Sequence, residues 1–321
     1  MSSDLPIANF FQALADPTRL RMMALLRAME LSVGELAQVL GQSQPRVSRH
    51  LKILAEVGLL QRRKEGSWVF LTLAGEERTD PVFALLESAA DDEIRAAFAG
   101  DAARLEAVRA ERAEAAARYF AAHASIWDQI RSLHVAESEV ERAIGKALGR
   151  DALGTLVDIG TGTGRMIELF GPLAKQAIGI DRSSEMLRLA RAKLEAAGIH
   201  SSLRQGDMYA LPLLEGSADC VILHQVLHYA HSPAAAVDEA ARVLAPGGTL
   251  LVVDFAAHDR EELRERDAHT RLGFEDQVMA DWFKAARLKT DHVEHLKGGE
   301  LTVTLWRGVK ASETQRRRKA A

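Results

Sequence analysis

The sequence predicts two folded units. The first is mostly helical with a strand hairpin, and the second is an α/β unit around a doubly wound, mostly parallel sheet. Three observations carry this. Residues 10–73 read as helix, Gly-containing turn, helix, then two β-rich runs about Glu65-Gly66. The apolar run Leu153–Ile159 meets glycines at 160, 162 and 164, and a helical pattern from Arg165 to Lys175 follows at once, which reads as strand, tight turn, helix. Strands and helices then alternate to about residue 308.

At 321 residues, two domains are the natural expectation. A net charge of −4 gives no global argument for nucleic acid. One cysteine, Cys220, excludes a disulfide framework and a zinc–cysteine cluster. There is no apolar run near 18 residues, so no membrane span is expected. Met1 to Asn9 lack a signal-peptide core, and a cytoplasmic protein is expected.

In chain order, Asp16-Pro17 opens a helix as cap and first turn, with Leu20, Met23, Leu25 and Leu26 on its apolar face. A short helix over Val33–Leu40 ends at Gly41, and Ser43-Gln44-Pro45-Arg46 starts another that runs to about Glu56. That helix has two faces. Val47, Leu51 and Leu54 repeat at core spacing, while Gln44, Ser48, Arg49 and Lys52 project together. Gln, Ser and Arg side chains can reach base edges and phosphates in a major groove, although a solvated face has the same composition. The basic run Gln61-Arg62-Arg63-Lys64 lies on the hairpin beside it, where it could meet phosphates. The candidate DNA-binding residues are Gln44, Arg46, Ser48, Arg49, His50, Lys52, Arg62, Arg63 and Lys64.

Leu14-Ala15-Asp16-Pro17-Thr18-Arg19-Leu20 and Ser43-Gln44-Pro45-Arg46-Val47-Ser48-Arg49-His50-Leu51-Lys52 resemble the ArsR family of winged-helix repressors over residues 8 to 75. The resemblance implies a winged helix-turn-helix fold, a homodimer on an inverted-repeat operator in double-stranded DNA, and DNA release on binding an inducer. The family's thiol metal site is absent, since that region reads Glu35-Leu36-Ala37-Gln38-Val39. His123, His134 and Glu137 repeat the spacing of a second family site, but they lie too far downstream and Ala121 stands where the Asp would be. No metal is expected.

From Pro81 to about Ala122 the chain is rich in Ala, Glu and Arg, which favours helix. Gly100-Asp101 is expected to divide it, with Asp101 as N-cap. The resemblance makes the first of these helices part of a dimer interface. The second would join the units without the Gly/Ser content of a flexible linker. Tyr119 and Trp127 follow in an aromatic-rich stretch that either covers a cofactor or packs ordinarily.

In the second unit, Asp158-Ile159-Gly160-Thr161-Gly162-Thr163-Gly164 resembles motif I of class I S-adenosylmethionine (SAM)-dependent methyltransferases, a doubly wound Rossmann-like fold. The later runs match the same family in order. They are Ile178-Gly179-Ile180-Asp181, Gly206-Asp207-Met208, Ala218–Leu223, Pro246-Gly247-Gly248 and the closing alternation Leu301–Trp306. The resemblance implies SAM or S-adenosylhomocysteine held by Asp158, Gly160, Thr161, Gly162, Gly164, Asp181, Arg182, Met186, Asp207, Met208 and His224, with Tyr119 and Trp127 as cover. An acid in the place of Asp181 can bond both ribose hydroxyls. His224, His228 and Tyr229 follow the fourth strand and are the catalytic candidates, with wall packing as their alternative. Too few thiols are present for an arsenite-methylating enzyme. His224-Gln225-Val226-Leu227 stands where a DNA amino-methylase would carry an Asn/Asp-Pro-Pro-aromatic motif, so an acceptor would be a small molecule.

The expected organisation is a winged unit at 1–76, a helical dimerisation and linker segment at 77–118, a methyltransferase domain at 119–308 and a basic, solvated tail at 309–321. Two functions compete: a repressor that reads SAM or S-adenosylhomocysteine as signal, with methionine-cycle genes as targets, or a small-molecule methyltransferase with a DNA-binding module attached.

Overall fold

The computed structural model describes residues 6–29, 31–65, 68–123, 136–149, 153–297 and 300–312. The chain divides into two compact units, Met1–Glu114 and Ala115–Ala321.

In the first unit, α1 (Pro6–Leu14) and α2 (Pro17–Ala28) are separated by Asp16, whose side chain accepts from Arg19 N at 3.1 Å and caps α2. A two-residue strand, β1 (Leu31–Ser32), leads into α3 (Val33–Leu40). Ser32 and Glu35 form a reciprocal capping box at its start, and Gly41, at φ +64°, ends it. The helix α4 (Gln44–Glu56) follows, then the hairpin β2 (Leu60–Glu65) and β3 (Trp68–Leu73). The sheet order is β1-β3-β2, all antiparallel. The hairpin was legible in the β-rich runs; β1 is too short for any periodicity.

The helical stretch departs from expectation. One helix, α5 (Glu76–Ala89), contains Pro81, and a second, α6 (Asp92–His123), runs straight through Gly100-Asp101. The break falls at Ala90-Asp91, where Asp91 Oδ1 accepts from Ile94 N at 2.9 Å. Asp101 is buried within α6 and receives two 2.6 Å bonds from Arg21 of α2 and one of 2.5 Å from Arg104, which also donates to Val39 O at 2.6 Å. An acid so engaged by side chains is no cap; it fastens this part of α6 to α2, and Arg104 fastens it to α3. Leu105 and Val108 of α6 join Met22, Met23, Leu36, Val47 and Leu51 in the core.

The second unit takes in the end of α6 and then, among the described residues, α7 (Glu137–Leu148). Its sheet comprises β4 (Thr155–Ile159), β5 (Gln176–Asp181), β6 (Ser202–Gln205), β7 (Ala218–His224), β8 (Leu244–Phe255), β9 (Leu288–Lys297) and β10 (Thr302–Lys310). The order is β6-β5-β4-β7-β8-β10-β9. The first five are parallel and β10 is antiparallel to both its neighbours. Helices α8 (Arg165–Phe170), α9 (Ser184–Ala196), α10 (Pro233–Val243), α11 (Glu262–Arg266) and α12 (Asp276–Ala285) connect them. α8 is shorter than the expected run to Lys175, because Gly171-Pro172 turns it into a single 3-10 turn. The strand order reverses at β4, which makes the carboxyl ends of β4 and β7 the switch point of the sheet, where ligands of such folds bind. No helix among the described residues is long and apolar enough to cross a membrane.

Candidate functional site

On α4, Val47, Leu51 and Leu54 are buried, which leaves Gln44, Arg46, Ser48, Arg49 and Lys52 exposed together. His50 stands apart. It is half-buried, with Nδ1 3.4 Å from the Arg19 guanidinium and 3.8 Å from Asp16 Oδ1. On the hairpin, Arg62 is exposed opposite Leu71. Arg63 and Lys64 lie on β2, and their side chains are outside the description.

In the second unit the site is made largely of backbone. Gly160, Gly162 and Gly164 have φ of +70°, +53° and +83°. A Cβ at Gly160 would collide with Val226 Cγ2, so the glycine both turns the chain and lets the β7 turn come close. Gly160 N and Thr161 N donate to Ile180 O at 2.8 and 3.0 Å, which ties the loop to β5. Asp158 is buried and accepts from Thr161 Oγ1 at 2.6 Å.

Asp181 closes β5. Its two carboxylate oxygens accept from Gly162 N and Ser183 N, each at 2.8 Å, and the carboxylate accepts from Arg182 N as well. Burial pushes this carboxyl above the ordinary aspartate range, against the pull of the backbone bonds. Arg182 is exposed and Met186 buried. Asp207 is half-buried and accepts from Tyr209 N at 3.1 Å, while Met208 packs partly on the core. Burial lifts the Tyr209 phenol to about 12, and its hydroxyl accepts from Ser232 N at 3.2 Å. Asp158, the glycines and Asp181 thus form one connected loop, with Asp207 beyond the end of the neighbouring β6. Tyr119 lies on α6 with its side chain undescribed, and Trp127 falls outside the described residues.

Past β7, His224 is buried, Gln225 takes φ +50°, and Leu227–Tyr229 forms a 3-10 turn. His228 Nδ1 lies 2.7 Å from Asp254 Oδ1, and both residues are buried. Asp254 was not among the expected site residues. The signal was present: like Asp158 and Asp181, it is an acid near the end of an apolar strand run, here Val252-Val253-Asp254.

Residues 16–62 match the family model described as the bacterial regulatory protein arsR family, and residues 157–252 match the methyltransferase domain. The first unit is similar to the arsenical resistance operon repressor of Escherichia coli, 51% identical over 75 residues, which is 23% of this chain and 63% of that protein. The second is similar to the demethylmenaquinone methyltransferase of Thermus thermophilus, 35% identical over 116 residues, which is 36% of this chain and 52% of that protein. The chain therefore spans about half to three-fifths of the length of these relatives. Among solved structures, a methyltransferase-type protein of Bacillus halodurans shares the fold at 18% identity and a TM-score of 0.50, over 54% of this chain and 100% of that one.

Proposed function

We propose, from the premise that this chain joins an arsR-family DNA-binding domain to a methyltransferase domain, that it is a dimeric transcriptional repressor whose second unit binds SAM or S-adenosylhomocysteine as its signal. The observation that carries the reading is that one chain holds both an exposed row of Gln44, Arg46, Ser48, Arg49 and Lys52 and a positive-φ glycine turn at a sheet's switch point. The row suits base edges and phosphates of an inverted-repeat operator.

The turn suits the nucleoside. Three positive-φ glycines let backbone approach a ligand, and Asp181 keeps an acceptor position for a ribose hydroxyl. Asp207 stands at the neighbouring strand end for the adenine amino group. Residues 1–76 serve as the winged unit, 77–118 as dimerisation and linking segment and 119–308 as the ligand domain; of the expected tail, Val309 and Lys310 belong to β10 and 313–321 lie outside the described residues. The unit boundary at Glu114–Ala115 falls inside α6. Genes of SAM and methionine turnover are the natural targets for such a signal.

The test is the affinity of the full chain for duplex DNA from its own upstream region, without ligand and with SAM or S-adenosylhomocysteine. A change of roughly 5- to 150-fold is expected, corresponding to about 1–3 kcal/mol, and DNA must change ligand affinity by the same factor. Equal DNA affinity with an empty and a saturated site ends the signal reading. The second reading, an active small-molecule methyltransferase, is favoured by the His228–Asp254 pair.

A further inference from the structure

We infer that the second unit methylates the hydroxyl of a flat, neutral, phenol-class molecule, with His228 Nε2 taking the hydroxyl proton and Asp254 holding the ring. The inference rests on the SAM binding proposed above.

The argument begins at Asp254, which is fully buried. Its Oδ2 accepts from Leu227 N at 3.0 Å and His228 N at 3.3 Å, and its Oδ1 accepts from Phe255 N at 2.8 Å. Three backbone donors make acceptors of both its oxygens. The atom facing it, His228 Nδ1 at 2.7 Å, must then carry hydrogen. That leaves Nε2 as the lone-pair nitrogen in the neutral ring. His228 is 2% exposed, and its Nε2 has no hydrogen-bond partner among the described residues. A buried, oriented, unpartnered base is an arrangement with a structural cost, and such costs concentrate at functional sites.

The backbone around it is constrained in the same sense. Gln225 and Ala268 both sit at positive φ, +50° and +55°, where a side chain brings strain. Thr270 N and Arg271 N both donate to His228 O at 2.9 Å, so the segment after β8 is laid over this turn. Val226, two residues before the histidine, packs on Gly160 of the ligand loop. The base therefore stands beside the proposed SAM site.

The surroundings choose the acceptor. The rings of Tyr229, His269 and Phe255 lie 4.0, 4.3 and 5.1 Å from that of His228, centroid to centroid. Aromatic walls favour a flat molecule. A base is useful only where the attacking atom carries a proton, as a hydroxyl does and a carboxylate does not.

When bound, SAM supplies a methyl group on a sulfonium: the acceptor oxygen–carbon bond forms, the carbon–sulfur bond breaks, and its electron pair stays on sulfur. The hydroxyl proton passes to His228 Nε2, and Asp254 balances the imidazolium charge. Among the described residues, the polar rings against this one are Tyr229 on its own turn and His269 from the covering segment.

The experiment uses the full chain with SAM and three probes, phenol, catechol and the readily ionised 4-nitrophenol, with methyl ethers read by mass spectrometry. Wild type is expected to form ether. His228→Gln should lose about 100-fold or more on phenol, lose less on 4-nitrophenol, and bind SAM unchanged by calorimetry. In ligand-free protein, nitrogen NMR of the His228 ring should show hydrogen on Nδ1. Catechol should shift its signals, and Asp254→Asn should change the tautomer. Failure of catechol to shift the wild-type ring, no ether from any probe while SAM binds, or full phenol activity in His228→Gln overturns the inference and leaves the signal reading standing. Absence of SAM binding brings down both.

Discussion

The helix α4 and the glycine turn after β4 are built in opposite ways. On α4 the backbone is closed on itself and what it presents is side chain: Gln44, Arg46, Ser48, Arg49 and Lys52 project while Val47, Leu51 and Leu54 hold the helix down. The turn presents backbone, and side chains are disfavoured by the positive φ of Gly160, Gly162 and Gly164. The first surface can be rewritten residue by residue with its fold intact. The second cannot, because the backbone it presents is the fold itself.

The largest effect should therefore come from Gly160→Ala. The added Cβ meets Val226 at a positive φ. Left-handed backbone costs about 1–2 kcal/mol for an L-residue and overpacking about 1–3, so a loss of about 2–5 kcal/mol is expected by denaturant unfolding of the full chain. Gly41→Ala is the control. Its φ of +64° is similar, but nothing lies within 4 Å of the new Cβ, so only the backbone cost of about 1–2 kcal/mol should appear. Equal losses at the two positions would show that φ alone matters and that the β7 turn can yield.

Next comes Asp181→Ala, which removes the acceptor of Gly162 N and Ser183 N and of the proposed ribose diol. Charge-assisted bonds of this kind contribute about 1.5–3 kcal/mol, so calorimetry should show SAM binding weakened by roughly 10- to 150-fold. Unchanged affinity would move the nucleoside away from β5.

On the other side of the comparison, Gln44→Ala should relax preference at one base pair by about 1–3 kcal/mol. Arg62→Ala, on the hairpin, should weaken binding to all sequences and lower the salt slope by about one. Competition with altered duplexes at two salt concentrations separates these. If Gln44→Ala weakens every duplex alike, α4 reads no bases.

What the sequence made legible follows the same division. Local signals placed α4 by its core spacing, the hairpin by its β-rich runs, and the sheet by apolar runs ending in Asp158 and Asp181. Non-local pairings stayed hidden. Asp101 looked like a cap because Arg21 lies 80 residues away. His50 looked like a DNA contact because nothing local reveals its approach to Arg19. Asp254 was passed over because its meaning comes from His228, 26 residues earlier and on another strand's end. A residue whose role is set by a partner across the fold carries no periodicity to read.

The smallest expected effect is electrostatic, and it tests whether the backbone-built unit also depends on its surface ions. Glu168, behind the glycine turn on α8, accepts from Arg165 at 2.8 Å and is paired with Lys193 at 3.1 Å. Burial pushes its carboxyl up, but these two partners outweigh it and hold it below the ordinary glutamate value of 4.5. Glu239 is held low in the same way by Arg242 and Leu211 N. The folded pKa lies below the unfolded one, so the unfolded chain binds protons first. The stability these acids give is complete above the unfolded value and is lost as pH falls through the folded one. Both acids are partly open to water, so each is worth about 0–1 kcal/mol. Denaturant midpoints of the wild type should decline below the glutamate range, and Glu168→Gln should flatten part of that decline while costing little at neutral pH. A variant that loses several kcal/mol at neutral pH would mean that α8 is held by this ion cluster rather than by Met166, Ile167 and Phe170 in the core.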